Sequence, residues 1–194
     1  MRGYAVAMFV HILGLVAVFG GFILQHRAAA RLRAAVSHGE GHPWAELLVA
    51  SRTMVPSGAA MLLLSGAYLS RSLWSDLPAW ILVALVAVHF IGIAGLVFGQ
   101  RFAALATALR SGDGPVAGDA RAHLSARSLW GLHAAANGAT LGSIWLMTAR
   151  PALLESALAV ALPAVVGAVV GARLAAKQSG QPRATNVPAT RTTA

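Results

Sequence analysis

Long blocks of apolar residues without a single charge constrain this chain more than any other feature of its sequence. Five such blocks occur, at residues 4–24, 54–70, 79–99, 128–149 and 156–172. A helix of about 20 predominantly apolar residues is long enough to cross a bilayer. Only helices and closed barrels satisfy every backbone amide in hydrocarbon, and these segments do not alternate as barrel strands do. We therefore expect an all-α membrane protein with five transmembrane helices.

The expected helices cover about residues 4–25, 52–70, 79–100, 124–149 and 153–174, within a single transmembrane domain of residues 1–175. Residues 176–194 are rich in Ser, Thr, Pro and Gln, and this composition predicts a disordered cytoplasmic tail. The polar stretch 37–44 contains Gly and Pro, so we expect a solvated loop there. Pro56 is expected to kink the second helix near its start.

Basic residues are distributed unevenly between the segments that join the blocks. One side carries Arg27, Arg31, Arg33, Arg101, Arg110, Arg121, Arg173, Lys177, Arg183 and Arg191, and the other carries Arg2, Arg71 and Arg150. The positive-inside rule then places the N-terminus outside and the C-terminus in the cytoplasm of a bacterial-type inner membrane. The net charge of +9 reflects this topology and attraction to anionic lipid. Nucleic acid is not an expected partner, since the charges form no single stripe.

One short pattern occurs twice. Residues 10–15 read VHILGL, and residues 88–93 read VHFIGI. The first and third helices run in the same direction, so a duplication would relate them by an axis along the membrane normal. We expect helices one to four to form a pseudo-two-fold four-helix bundle, with the fifth packed outside it. Chance similarity in a sequence this rich in Ala, Gly and Leu is the alternative.

The repeat would place His11 and His89 at matched depth near the middle of the bilayer. An ionisable residue at that depth is costly unless it is paired, so it indicates a functional site. Haem iron takes two imidazoles, and we expect these two histidines to face each other and ligate one haem b. His133 is the reserve ligand. The alternative for a single histidine is an interhelical hydrogen bond that holds the bundle together.

Other residues of the expected site have supporting roles. Gly14 and Gly92, each three residues after its histidine, leave room for a flat cofactor or a neighbouring helix. Arg52 and Arg127 are expected either to recognise porphyrin propionates or to snorkel to lipid headgroups. His133, Asn137 and Thr140 lie at intervals of four and three residues, so we expect them to form one polar stripe that faces the bundle interior.

Copper is the alternative cofactor, because imidazole and thioether ligands suit it. The candidate thioether ligands are Met8, Met54, Met61 and Met147. The chain contains no cysteine, which excludes disulfides and thiolate ligands.

Several short motifs resemble one superfamily of membrane proteins. They are His11 followed by Phe19-Gly20-Gly21, the stretch 52–56 (RTMVP), His89, and the stretch 145–151 (WLMTARP). Together they resemble copper-resistance CopD proteins, HemJ-type protoporphyrinogen oxidases and a related uncharacterised family of integral membrane proteins, over about residues 4–151. The resemblance implies haem b with His11 as a ligand. The chain departs from HemJ at residues 25–27, at Asn137 and in its added fifth helix, so the uncharacterised family is the nearest fit.

We therefore expect an integral membrane b-type haem protein, either a redox subunit or a porphyrin-handling protein, and whether it is an enzyme stays open. Two alternatives stay open as well: a copper-handling membrane protein of CopD type, and a cofactor-free structural subunit or permease. The expected partners are the lipid bilayer and either a membrane redox protein or a second copy of the chain.

Overall fold

A computed structural model describes residues 2–35, 37–110 and 126–179. These ranges contain six helices: α1 (Arg2–Ala34), α2 (His38–Ser51), α3 (Met54–Leu73), α4 (Ala79–Arg110), α5 (Arg127–Ala149) and α6 (Leu153–Ser179). The all-α expectation is confirmed for the described ranges. Residues 176–179 of the predicted tail continue α6, and the rest of that tail lies outside the described residues.

Within the described ranges, four helical stretches are long and apolar enough to cross a membrane: Arg2–Ala34, Gly39–Leu73, Ala79–Ala104 and Leu153–Lys177. Large apolar side chains point outward from them, among them Phe9, Leu64 and Leu154. Exposing so much apolar surface is unfavourable in water, whereas it is favourable in the hydrocarbon of a bilayer. The expected multi-pass membrane protein is confirmed at this level. A fifth crossing by α5, which is not one of the four, stays a prediction.

The stretch 37–44 is not a loop, and that expectation is wrong. Helix α2 begins directly after Ser37, whose hydroxyl oxygen accepts a hydrogen bond from the Glu40 amide at 3.3 Å. Ser followed three residues later by Glu is the sequence signature of a helix N-terminus. The glycines and Pro43 within the stretch favoured the interpretation as a loop. The Ser37 side chain caps the helix by accepting from the Glu40 amide, which has no carbonyl partner within the helix.

Pro56 interrupts the second membrane stretch as expected. It has no N–H to donate to the carbonyl of Arg52, four residues earlier, and its ring crowds that carbonyl. The helical chain is broken at Arg52 and Thr53, between α2 and α3. The carbonyl oxygen of Arg52 faces Gly99 of α4, where a Cβ atom would lie only 2.9 Å from it.

Helices α1 and α3 pack at backbone distance. A Cβ atom at Gly14 would lie 2.9 Å from the carbonyl oxygen of Gly58, and one at Gly58 would lie 2.7 Å from that of Gly14. Real Cβ atoms do not approach backbone that closely, so each glycine permits the other helix to approach. Small residues serve this purpose in membrane helix pairs because lipid supplies no hydrophobic drive for association.

Helix α6 packs on α5 in the same manner and also contacts α4. Gly138 and Gly142 of α5 lie against backbone of α6 at Pro163 and Ala159, and Gly167 of α6 lies against Ala134 of α5. Further contacts join α3 with α4, α4 with α5, α2 with both α1 and α4, and, less extensively, α1 with both α4 and α5. The helices paired within each half of the proposed repeat, α1 with α3 and α4 with α5, are therefore in contact. The two-fold relation between the halves stays a prediction.

Candidate functional site

A cavity of about 710 Å³ lies at the end of the bundle where α1 and α4 begin and α3 and α5 end. Its wall is mostly apolar and is contributed by all four of these helices. Its polar groups are Tyr4, His11, Ser70, Arg71, Trp74, Ser75, Trp80 and Arg150. A concave, mainly apolar site with a few polar groups is the usual form of a ligand-binding pocket, and such pockets span about 300–1,000 Å³.

His11 is fixed in the wall of this cavity by Ser65. Its Nδ1 lies 3.0 Å from the Ser65 hydroxyl oxygen, and that hydroxyl also contacts the carbonyl oxygen of Met61. A helical Ser commonly donates to the carbonyl oxygen four residues earlier, here that of Met61, and its own oxygen then accepts from His11. In this arrangement the ring proton of His11 lies on Nδ1, and Nε2 has a free lone pair.

That bare nitrogen faces a sulfur atom. His11 Nε2 lies 3.4 Å from Sδ of Met147 on α5, and both atoms present lone pairs. Met8, one helical turn before His11, lines the same cavity. Bonds of about 2.0 Å to nitrogen and about 2.3 Å to sulfur, meeting at a tetrahedral angle, place two ligand atoms roughly 3.5 Å apart. The pair therefore has the separation of two ligands of one metal ion.

Two arginines and two tryptophans lie at the outer part of the cavity. The Arg150 guanidinium carbon is 5.7 Å from the Trp74 ring centroid, within the range of a cation–π contact. The rings of Trp74 and Trp80 meet edge to face with centroids 5.5 Å apart. Arg71, in the last turn of α3, completes this group. These side chains suit a ligand with an anionic head and a flat apolar body.

The structure does not bring His89 to His11. His89 is exposed on the outer surface of α4, and its Nδ1 lies 2.8 Å from the carbonyl oxygen of Leu85 on the same helix. It is not part of the cavity wall. The shared VH-x-x-G pattern predicted how deep each histidine lies in the membrane but not which way its side chain points. That direction depends on how each helix is rotated in the bundle.

The two glycines of the repeat serve helix packing. Gly14 lies against Gly58 as described, and a Cβ atom at Gly92 would lie 3.1 Å from the Cβ atom of Ala59. Two roles were expected for these positions, room for a flat cofactor or room for a neighbouring helix. The structure shows the second. Neither glycine lines the cavity.

Arg52 and Arg127 lie at the opposite end of the bundle from the cavity. Arg52 follows α2, Arg127 begins α5, and both side chains are exposed. Their position fits snorkelling toward headgroups. The cavity instead contains Arg71 and Arg150, which were not expected as propionate partners because the sequence alone does not indicate where the cavity lies.

His133 is buried between aromatic rings. Only 2% of its surface is exposed, and its ring centroid lies 4.1 Å from that of Phe98 and 5.2 Å from that of Phe22. His26 of α1 lies nearly parallel to it at 5.8 Å. Within the part of the chain that the structure describes, neither ring nitrogen of His133 has a hydrogen-bond partner. His26 was missed as a neighbour because nothing in the sequence pairs it with α5.

The polar stripe that begins at His133 bonds mainly to its own helix. Asn137 Nδ2 donates to the carbonyl oxygen of His133 at 2.8 Å, and Thr140 Oγ1 donates to that of Ala136 at 2.8 Å. Thr140 is buried and Asn137 is partly buried. The inward orientation expected for His133 is therefore found, while these two side chains satisfy their polar groups locally, as Thr and Asn commonly do in helices.

Comparisons with protein-family models, curated proteins and solved structures found no match to this chain. The resemblance to CopD and HemJ-type proteins therefore stays a prediction that rests on short motifs.

Proposed function

We propose that this protein is a copper-handling membrane protein that binds one Cu(I) ion through His11 and Met147. The observation that carries the proposal is the 3.4 Å separation of His11 Nε2 and Met147 Sδ. The tautomer whose proton lies on Nδ1, facing Ser65, leaves Nε2 free to bind a metal. Imidazole and thioether together are soft ligands that favour Cu(I). Met8 is available on the same wall as a third ligand.

The position of the pair supports a monovalent ion. A charge inside a membrane is costly, and Cu(I) brings one elementary charge where Zn²⁺ brings two. Neutral imidazole and thioether add no charge of their own, and the cavity extends from them to the end of the bundle where α1 begins. With the N-terminus outside, as the arginine distribution predicts, the ion would be exchanged with the outer compartment through this cavity.

The test is Cu(I) binding to the detergent-purified protein under reducing, anaerobic conditions, measured by competition with a chromophoric chelator. We expect one equivalent to bind, and we expect His11→Ala and Met147→Leu to weaken binding at least tenfold. Met54→Leu is the matched control, because Met54 lies outside the cavity wall. Unchanged affinity in both ligand variants would overturn the proposal.

Haem b is the second candidate, and the size and lining of the cavity favour it. His11 would be the ligand and Arg71 with Arg150 the partners of the propionates, while haem itself would supply one-electron redox chemistry. Substitution of Met147 distinguishes the haem candidate from the copper candidate. Haem held by His11 alone predicts a Soret band that survives Met147→Leu and is lost in His11→Ala. Copper predicts no Soret band and metal binding that is weakened in both variants.

A further inference from the structure

The depth of the cavity is close to that of one leaflet of a bilayer. On α4 its wall begins at Trp80 and ends at Val88, which is about 12 Å of helix. One leaflet contributes about half of a hydrocarbon core that is roughly 30 Å thick. The deeper wall is mainly aliphatic and includes Leu62, Leu63 and Leu85. A space of about 710 Å³ with this depth and lining suits an acyl chain.

Helices α3 and α4 are close together at one end of the bundle and line the cavity at the other. At the close end, a Cβ atom at Gly95 would collide with the Val55 side chain, and one at Gly99 would lie 2.9 Å from the carbonyl oxygen of Arg52. Protein does not seal the opposite end, because the cavity wall there includes exposed apolar side chains, namely Leu73, Leu77, Leu82 and Leu85. A lipid tail can therefore enter between the helices.

Two guanidinium groups at the mouth of this cavity have no carboxylate partner. Arg71 and Arg150 are exposed and belong to the cavity wall. Among the described residues neither forms an ion pair, although Asp76 lies in the segment between α3 and α4. The Trp74 ring lies beside Arg150, 5.7 Å from its guanidinium carbon. Guanidinium groups bind phosphate and carboxylate oxygens through pairs of N–H groups, so the mouth is complementary to an anion.

We infer that the cavity binds one anionic phospholipid, with its phosphate between Arg71 and Arg150 and one acyl chain along the aliphatic wall. A carboxylate has two oxygens and is matched by one guanidinium fork, whereas a phosphodiester offers oxygens to both arginines. A zwitterionic lipid would bring an ammonium group beside the same two cations, where like charges repel. Tryptophan and arginine are also typical of the headgroup level of a membrane.

The inference goes beyond copper binding and does not rest on it. The headgroup contacts involve neither His11 nor Met147, and the test below is carried out without added copper. Haem would occupy the same space as the acyl chain, so a bound haem and a bound phospholipid exclude each other.

Native mass spectrometry of the delipidated, detergent-purified protein measures the binding. Three ligands are titrated: phosphatidylglycerol, phosphatidylethanolamine with the same acyl chains, and palmitate. We expect one phosphatidylglycerol at saturation, bound about tenfold more tightly than the other two because of its net charge and its phosphate. Equal affinities, tighter binding of palmitate, no bound lipid, or a haem mass in place of lipid would overturn the inference.

The headgroup site is tested by removing one guanidinium group at a time. Arg71→Gln and Arg150→Gln should each weaken phosphatidylglycerol binding about tenfold, the lower range for a hydrogen bond to a charged group. Arg2→Gln is the matched control, because Arg2 is exposed at the same end of the bundle but is not part of the cavity wall. An equal loss in Arg2→Gln, or no loss in the other two variants, would contradict the headgroup site.

The position of the acyl chain is tested by filling the cavity. Ala67 of α3 is exposed and belongs to the cavity wall, whereas Ala60 of the same helix is exposed outside it. Ala67→Phe should weaken phosphatidylglycerol binding at least about tenfold, since an added ring occupies space that the chain needs. Ala60→Phe should bind as the unmodified protein does. The same affinity in both variants would show that the chain lies elsewhere and would overturn the inference.

Discussion

At the scale of single residues, the site depends on which nitrogen of His11 carries the proton. Ser65 favours Nδ1, because a hydroxyl that donates to the carbonyl oxygen of Met61 accepts from the ring. A hydrogen bond on the nitrogen that does not bind metal orients an imidazole ligand and fixes its tautomer. Ser65 is 54 positions from His11 in sequence, so only the packing of α1 against α3 brings them together.

We predict that Ser65→Ala weakens Cu(I) binding by about tenfold, the lower range for loss of such a supporting contact. His11 would then be free to rotate and to place its proton on either nitrogen. Ser70→Ala is the matched control, since Ser70 also lines the cavity but donates to the carbonyl oxygen of Gly66 at 2.7 Å. Chelator competition on the two variants measures the effect, and equal affinities would contradict it.

The sequence singled out His11, which the structure places in the cavity wall, and paired it with His89, which the structure places on the exposed surface of α4. The long blocks without charged residues predicted helices, and the repeated VH-x-x-G pattern predicted similar depths in the membrane for His11 and His89. Neither feature determines how a helix is rotated about its own axis. Met147 belonged to a set of four candidate methionines, and no sequence feature distinguishes it from the other three. Contacts between residues more than 100 positions apart depend on the fold and not on any local pattern.

At the scale of elements, glycine positions determine how closely helices approach. The α1–α3 contact at Gly14 and Gly58 leaves no room for a methyl group on either side. Gly20 of α1 is different, because a Cβ atom added there would meet only the end of the Met54 side chain, at 3.7 Å. The two positions therefore form a natural pair for comparison.

We predict that Gly58→Ala destabilises the protein by about 2 kcal/mol, within the range for overpacking of a close interface. Gly20→Ala should be neutral or slightly stabilising, since the added methyl group meets only ordinary contact and alanine is the better helix former. Unfolding in mixed detergent micelles, followed by circular dichroism, provides the measurement. A Gly58→Ala variant as stable as Gly20→Ala would show that α1 and α3 are not packed this closely.

At the scale of the whole molecule, the two ends of the bundle differ in charge. Arg27, Arg31, Arg33, Arg52, Arg101 and Arg127 belong to the end with α2, whereas Arg2, Arg71 and Arg150 belong to the cavity end. Two arginines of the first group also pack on tryptophan rings, Arg31 at 5.6 Å from Trp44 and Arg33 at 4.9 Å from Trp130. Aromatic and basic side chains of this kind are typical of a membrane interface.

We predict that the cavity end faces the outside of the cell. In the cysteine-free chain, Ser75→Cys in the segment between α3 and α4 should react with a membrane-impermeant thiol reagent in intact cells. Gly39→Cys in α2, an exposed position with no atom within 4 Å of a Cβ, should react only after permeabilisation. Labelling in the reverse order would show the opposite orientation.

The turn between α5 and α6 has a consequence for how the chain enters the bilayer. Arg150 adopts a left-handed backbone conformation (φ 49°) and ends α5, so α6 begins three residues later and folds back along it. Glycines on both helices then place backbone against backbone. Helix α5 contains buried polar groups and by itself partitions poorly into lipid. When it is paired with α6 in a hairpin, the apolar outer surface of α6 faces the lipid. We expect α5 to be inserted during biosynthesis only once α6 has been translated, as a single unit.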